Sequence, residues 1–70
     1  MENAELKAWV QNGTLYVSGL TSDKLWSIYN LYGQLIYSGM ANGNEAKIPL
    51  HGKGIMIITD GKESIKIAVP

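Results

Sequence analysis

Between two runs that alternate apolar and polar residues, Leu6–Gln11 and Thr14–Ser18, stands the pair Asn12-Gly13. Both residues tolerate the positive φ of a type I′ turn, so the pair predicts a tight β-hairpin. In the first run Leu6, Ala8 and Val10 share a face, with Lys7, Trp9 and Gln11 opposite. In the second, Leu15 and Val17 stand against Thr14, Tyr16 and Ser18. The period is two, which a strand satisfies and a helix does not.

The rest of the chain repeats this punctuation. Gly19–Lys24 reads as a polar loop, followed by a strand over Leu25–Asn30 with Trp26 and Ile28 on one face. Asn30-Leu31-Tyr32-Gly33 makes the next turn: Asn30 is suited to bond its own turn backbone, and Gly33 to supply positive φ. Gln34–Ser38 returns, Gly39–Asn44 loops, and Glu45–Leu50 forms a strand that Pro49 assigns to a sheet edge. His51–Gly54 turns the chain into Ile55–Thr59, a continuous apolar run expected of a strand buried on both faces. Asp60-Gly61 makes a last hairpin turn before Lys62–Val69, where Ile65, Ile67 and Val69 share a side. About seven short strands at this spacing predict an all-β, mainly antiparallel sandwich, immunoglobulin-like or jelly-roll. The strand order is not readable. The core expected from these alternations holds Ile28, Leu35, Ile55, Ile57 and Ile67, and Trp26 is expected to be buried beside Ile28.

Seventy residues support one domain, residues 1–70, and 46% hydrophobic content with 17% charge is far from disordered composition. Six acidic residues balance six basic ones, all lysine, so no basic face exists for nucleic-acid phosphates. No apolar run approaches the roughly 20 residues that cross a bilayer as a helix, so membrane insertion is not expected. The absence of cysteine removes disulfides, thiolate metal sites and cysteine nucleophiles together.

Catalysis finds little support. His51 is the sole histidine and lies in a Gly-rich turn, while Asp23, Glu45 and Asp60 fall in separate loops. No nucleophile elbow and no phosphate loop is present. Asn42-Gly43-Asn44-Glu45 has one acid where a calcium loop needs several. The expectation is a non-enzyme with no catalytic residue, cofactor or metal. The aromatics are the feature with functional colour: Trp9, Tyr16, Tyr29 and Tyr32 fall opposite the apolar stripes or in turns. They form a candidate binding face for a glycan or a protein, or else cross-strand pairs that stabilise the sheets.

Two blocks carry a family resemblance. Ser27-Ile28-Tyr29-Asn30-Leu31-Tyr32-Gly33-Gln34-Leu35-Ile36-Tyr37-Ser38 is one; Gly54–Thr59, Asp60-Gly61-Lys62 and Lys66–Val69 make the other. Together they resemble the C-terminal sorting domains of the type-nine (Por) secretion system, and related terminal β-sandwich domains of Bacteroidetes surface proteins. The chain departs from that pattern in two places. No Pro-Asn-Pro element precedes the first strand, and Met56 stands where a tyrosine is usual. The resemblance implies a terminal appendage of a larger exported protein, destined for the cell surface or exterior through the periplasm. Its partner would be a protein, either the secretion or anchoring machinery or the parent chain's upstream domain. The physical mode would be an exposed edge strand with adjacent loops. If the parent is exported, its signal peptide lies upstream, since Met1–Glu5 lacks a basic-then-apolar pattern. A chain stopping one residue after Ile65–Val69, at a proline that cannot continue the ladder, suits a natural terminus. Carbohydrate binding through the aromatic face and a passive spacer are the alternatives.

Overall fold

The computed structural model describes residues 5–50 and 52–70. His51 and the acidic start at Met1–Ala4 lie outside the described residues. The described residues form seven strands: β1 (Lys7–Gln11), β2 (Thr14–Ser18), β3 (Leu25–Asn30), β4 (Leu35–Met40), β5 (Glu45–Pro49), β6 (Gly54–Thr59) and β7 (Ser64–Val69). They form a three-stranded sheet in the order β1-β2-β5 and a four-stranded sheet in the order β4-β3-β6-β7. Every pairing is antiparallel.

The chain changes sheet after β2, after β4 and after β5. This Greek-key path over seven strands is immunoglobulin-like, where a jelly roll needs eight strands in two Greek keys. It also places the third strand at the centre of the larger sheet, where Trp26 is buried to 2% exposure. The indole packs at 5.2 Å, centroid to centroid, against Tyr37 of β4. Immunoglobulin domains commonly bury a tryptophan on the corresponding strand against an inter-sheet disulfide. Here aliphatic side chains fill that layer: Leu15 and Val17 from the small sheet, Ile28 and Ile58 from the large one.

One end of the sandwich is closed by backbone and loop side chains. The loops after β2 and β4 lie together, with the Leu20 N–H donating to the Asn44 carbonyl and the Asp23 and Ala41 N–H groups to the Ala41 and Lys24 carbonyls. That pairing holds Leu20 and Ala41 in the core. The Gly19–Lys24 segment is therefore not wholly polar in role.

Alternation places the inward residues correctly on most strands. Leu6, Ala8, Val10, Leu15, Val17, Trp26, Ile28, Ile65, Ile67 and Val69 are all in or against the core. Ile67 is only partly buried, because β7 is an edge strand. Three core expectations are corrected. Leu35 is 57% exposed, because a β-bulge makes Ile28 face Tyr37 but Tyr29 face Leu35, with Ile36 as the extra residue. The bulge turns Leu35 to the outer face, opposite to Tyr37. Ile55 and Ile57 also face outward and are half-buried, while Met56 and Ile58 point into the core. Strand β6 is interior, as its apolar run implies, but only its inner face is fully covered.

The turns follow their residue chemistry. Asn12 (φ 51°) and Gly13 (φ 74°) form the two-residue connection of the first hairpin, between paired Gln11 and Thr14. In the third-to-fourth strand turn, Asn30 Oδ1 accepts from the Tyr32 and Gln34 N–H groups at 2.9 and 3.0 Å, while its amide donates to Gln34 Oε1. Gly33 has φ 81° with open space where a side chain would stand. Gly33→Val is thus expected to cost about 1–3 kcal/mol from backbone strain alone, read as a lowered midpoint in urea unfolding.

Candidate functional site

The four aromatics expected to form one face are divided by the fold between two sheets. Trp9 and Tyr16 are a directly opposed pair on β1 and β2, on the outer face of the three-stranded sheet. Tyr29 lies on the outer face of the other sheet, paired with Leu35 and Ile57. Tyr32 sits in the turn after β3, 89% exposed. A sandwich's outer faces point in opposite directions, so no single platform of four rings exists. The cause is strand order, which alternation along each strand does not encode.

The first pair is well defined. The Trp9 and Tyr16 rings are parallel to within 6° with centroids 5.7 Å apart, and Lys47 Nζ stands 5.9 Å from the Tyr16 centroid. These three residues form one rung across β1, β2 and β5. Beside it lies the rung Lys7, Ser18 and Glu45. A groove of about 390 Å³ is lined by Trp9, Tyr16, Val17, Glu45, Ala46 and Lys47. Cross-strand stacking and the cation–π contact also stabilise the sheet, so the rung serves both readings given above.

The second region is apolar and wraps one edge of the large sheet. Leu25, Leu31, Tyr32, Leu35, Ile36 and Met40 are all exposed, and all belong to β3, β4 or their turn. Trp9 is the one exposed large hydrophobic elsewhere among the described residues. Strand β4 is an edge, so its outer backbone N–H and C=O groups have no partner strand. The other three edges carry charge or proline: Lys7 on β1, Glu45, Lys47 and Pro49 on β5, Lys66 on β7. The edge position of β5 agrees with Pro49. Strand β4, Leu-Ile-Tyr-Ser-Gly-Met, carries neither charge nor proline. Its only guard is the bulge at Ile36. Next to it, Leu31, Tyr32, Ile36 and Ile55 line a groove of about 480 Å³ that reaches Gly52–Gly54.

Asn12, Gly13, Gly33 and Gly61 have positive φ in the connections between strands, while Asn30 is the last residue of β3 and Asp60 directly follows β6. Asp60 Oδ1 accepts from the Lys62 and Glu63 N–H groups at 2.9 and 2.8 Å. Slight burial works against the Asp60 charge, but the N–H groups of Glu63 and Lys62, with the Lys62 ammonium, outweigh it. The carboxyl is held below the ordinary aspartate value of 3.8. A lowered folded value means a stabilisation present above the unfolded pKa and lost as pH falls through the folded one. The loss of these two exposed hydrogen bonds in Asp60→Ala, discounted for solvent screening, should cost at most about 1 kcal/mol near neutral pH. The gap between variant and parent should close as acid protonates Asp60, below about pH 4. Parallel urea titrations at neutral and acid pH check this.

Among the described residues no group of three or more His, Asp or Glu side chains is placed to hold a metal ion. Asp23 and Asp60 each sit in their own turn, and His51 lies outside the described residues. No helix of the described residues is long and apolar enough to cross a membrane. No protein-family model, curated protein or solved structure matches the chain.

Proposed function

We propose that this domain is a non-catalytic recognition module, carried as a terminal appendage of an exported protein and bound by a protein partner. The observation that carries this reading is the β4 edge, uncharged and proline-free, with exposed apolar side chains around it. Natural sheets guard their edges against pairing, so an edge with a bulge but neither charge nor proline, beside three edges that carry charge or proline, supports β4 as the place where a strand adds. An added strand would satisfy the free backbone groups of β4, and the partner's side chains would cover Leu35, Ile36 and Met40. The resemblance of Ser27–Ser38 and Gly54–Val69 to sorting domains supports an export or anchoring machine as that partner. Part of the first resembling block builds the β3–β4 turn and the bulged edge itself. The experiment is a fusion of the domain behind a folded periplasmic reporter, in a bacterium with the type-nine system. The reporter is expected at the cell surface; a folded fusion kept in the periplasm would reject the export role.

A further inference from the structure

We propose that the β4 edge pairs with β4 of a second copy of this chain, giving a symmetric dimer in which the large sheet of each copy runs on into the other. The inference goes beyond the export reading: it uses the same edge but needs only the chain itself. Among the described residues no strand covers the outer side of β4. The Ala41 N–H donates to the Lys24 carbonyl on the β3 side. By the alternation of an antiparallel ladder, Ser38 and Met40 therefore present their N–H and C=O groups to the open side, and the Ile36 carbonyl faces the same way. The bulge lies at the Leu35–Ile36 end and leaves Tyr37–Met40 in regular register with β3.

What selects a second copy as the occupant is that β4 complements itself. A two-fold axis through Ser38 sets Ser38 against its twin, Ile36 against Met40 of the second copy, and Tyr37 against Gly39 of the second copy. In that register each Ser38 exchanges N–H and C=O with the other, and each Met40 N–H meets an Ile36 carbonyl. Ile36, Ser38 and Met40 share the outer face. The smallest of the three stands on the axis, its Oγ accepting from Ser27 Oγ at 3.3 Å. On either side of it the exposed Ile36 (45%) and Met40 (61%) cover each other. On the inner face Tyr37 comes opposite a glycine, so no two bulky side chains contend for that space. Leu31–Ala41 holds no charged residue, so self-pairing sets no like charges against each other. Antiparallel pairing also carries the turn with Leu31 and Tyr32 to the Met40 end of the second copy, where Leu25 is exposed. The exposed large hydrophobics of β3, β4 and their turn gather along one seam, and the open edge of each copy is closed.

The test is sedimentation equilibrium of the intact domain up to millimolar concentration, where a reversible monomer–dimer equilibrium is expected. Ile36→Lys with Met40→Lys sets like charges opposite each other across the axis and should weaken the dimer by roughly tenfold or more. Ile36→Glu with Met40→Glu should do the same, and mixing the two folded double variants should restore a dimer containing one of each. Pro49→Lys, on the β5 edge, should leave the equilibrium unchanged. A parent domain that stays monomeric, a dimer that survives both β4 double variants, or a mixture of the two that stays monomeric would overturn the proposal. The outcomes separate it from the export reading. A monomeric domain still displayed at the cell surface rejects the dimer alone, whereas a dimer whose fusion stays in the periplasm rejects the export role alone.

Discussion

Gly19→Val is expected to unfold the domain or to cost about 3 kcal/mol or more. Gly19 has φ 86°, where a β-branched residue is strained by about 1–3 kcal/mol. The larger cause is contact. A Cβ on Gly19 would run into the backbone carbonyl of Glu5 and lie 3.0 Å from the Leu6 Cα. Lys7 pairs with Ser18, so the chain just before β1 passes over Gly19 as the ladder ends. Backbone cannot swing aside as a flexible side chain can, and the Leu6 N–H is tied to Glu63 Oε1. Overpacking of this kind adds about 1–3 kcal/mol. Gly33→Val is the control, because its φ of 81° gives the same strain with nothing near the added carbon. The difference between the two urea midpoints isolates the contact. Equal losses would mean that the Glu5–Leu6 segment is not held against Gly19.

The second large effect separates neighbours on one strand. Ile58→Ala should cost about 2–5 kcal/mol, since Ile58 is fully buried among the core side chains of both sheets. That is a large share of the stability available to a domain of this size. Ile57→Ala removes a half-buried side chain from the outer face and should cost about 1 kcal/mol. The same contrast holds between Ile28, fully buried, and Leu35, which the bulge exposes. Equal losses at Ile57 and Ile58 in thermal or urea unfolding would contradict the register of β6.

These contrasts also mark how far the sequence could be read. Alternation carried the hairpin at Asn12-Gly13 and the inward faces of β1, β2, β3 and β7, because polar residues on the other face define the phase. In β6 the run Ile55-Met56-Ile57-Ile58 has no polar residue to set that phase, so alternation does not tell its inner face from its outer one. In β4 the inward face expected of Leu35 is reversed, since a bulge has no period. Leu20 and Ala41 were hidden because loop residues enter the core through tertiary contacts. Gly19 looked like ordinary loop punctuation; only the chain passing over it reveals the constraint.

The candidate sites were half legible for a related reason. The Trp9–Tyr16 pair follows from a two-residue hairpin, whose register is fixed locally. Tyr29 and Tyr32 could not be separated from that pair without the strand order. The β4 edge was equally invisible, since a strand is an edge only by virtue of what does not pair with it. Once the order is in place, its lack of charge and proline becomes a readable signal.

That edge is the centre of the functional account, and one measurement addresses it directly. Surface display of a reporter fused to the domain is compared between the parent, the double variant Ile36→Lys with Met40→Lys, and the control Pro49→Lys on the β5 edge. All three positions are exposed, so folding should be preserved, as cooperative unfolding of each purified domain would verify. The account predicts display for the parent and for Pro49→Lys, and retention of the folded fusion for the β4 variant. Undiminished display of the β4 variant, or loss confined to the β5 variant, would contradict it.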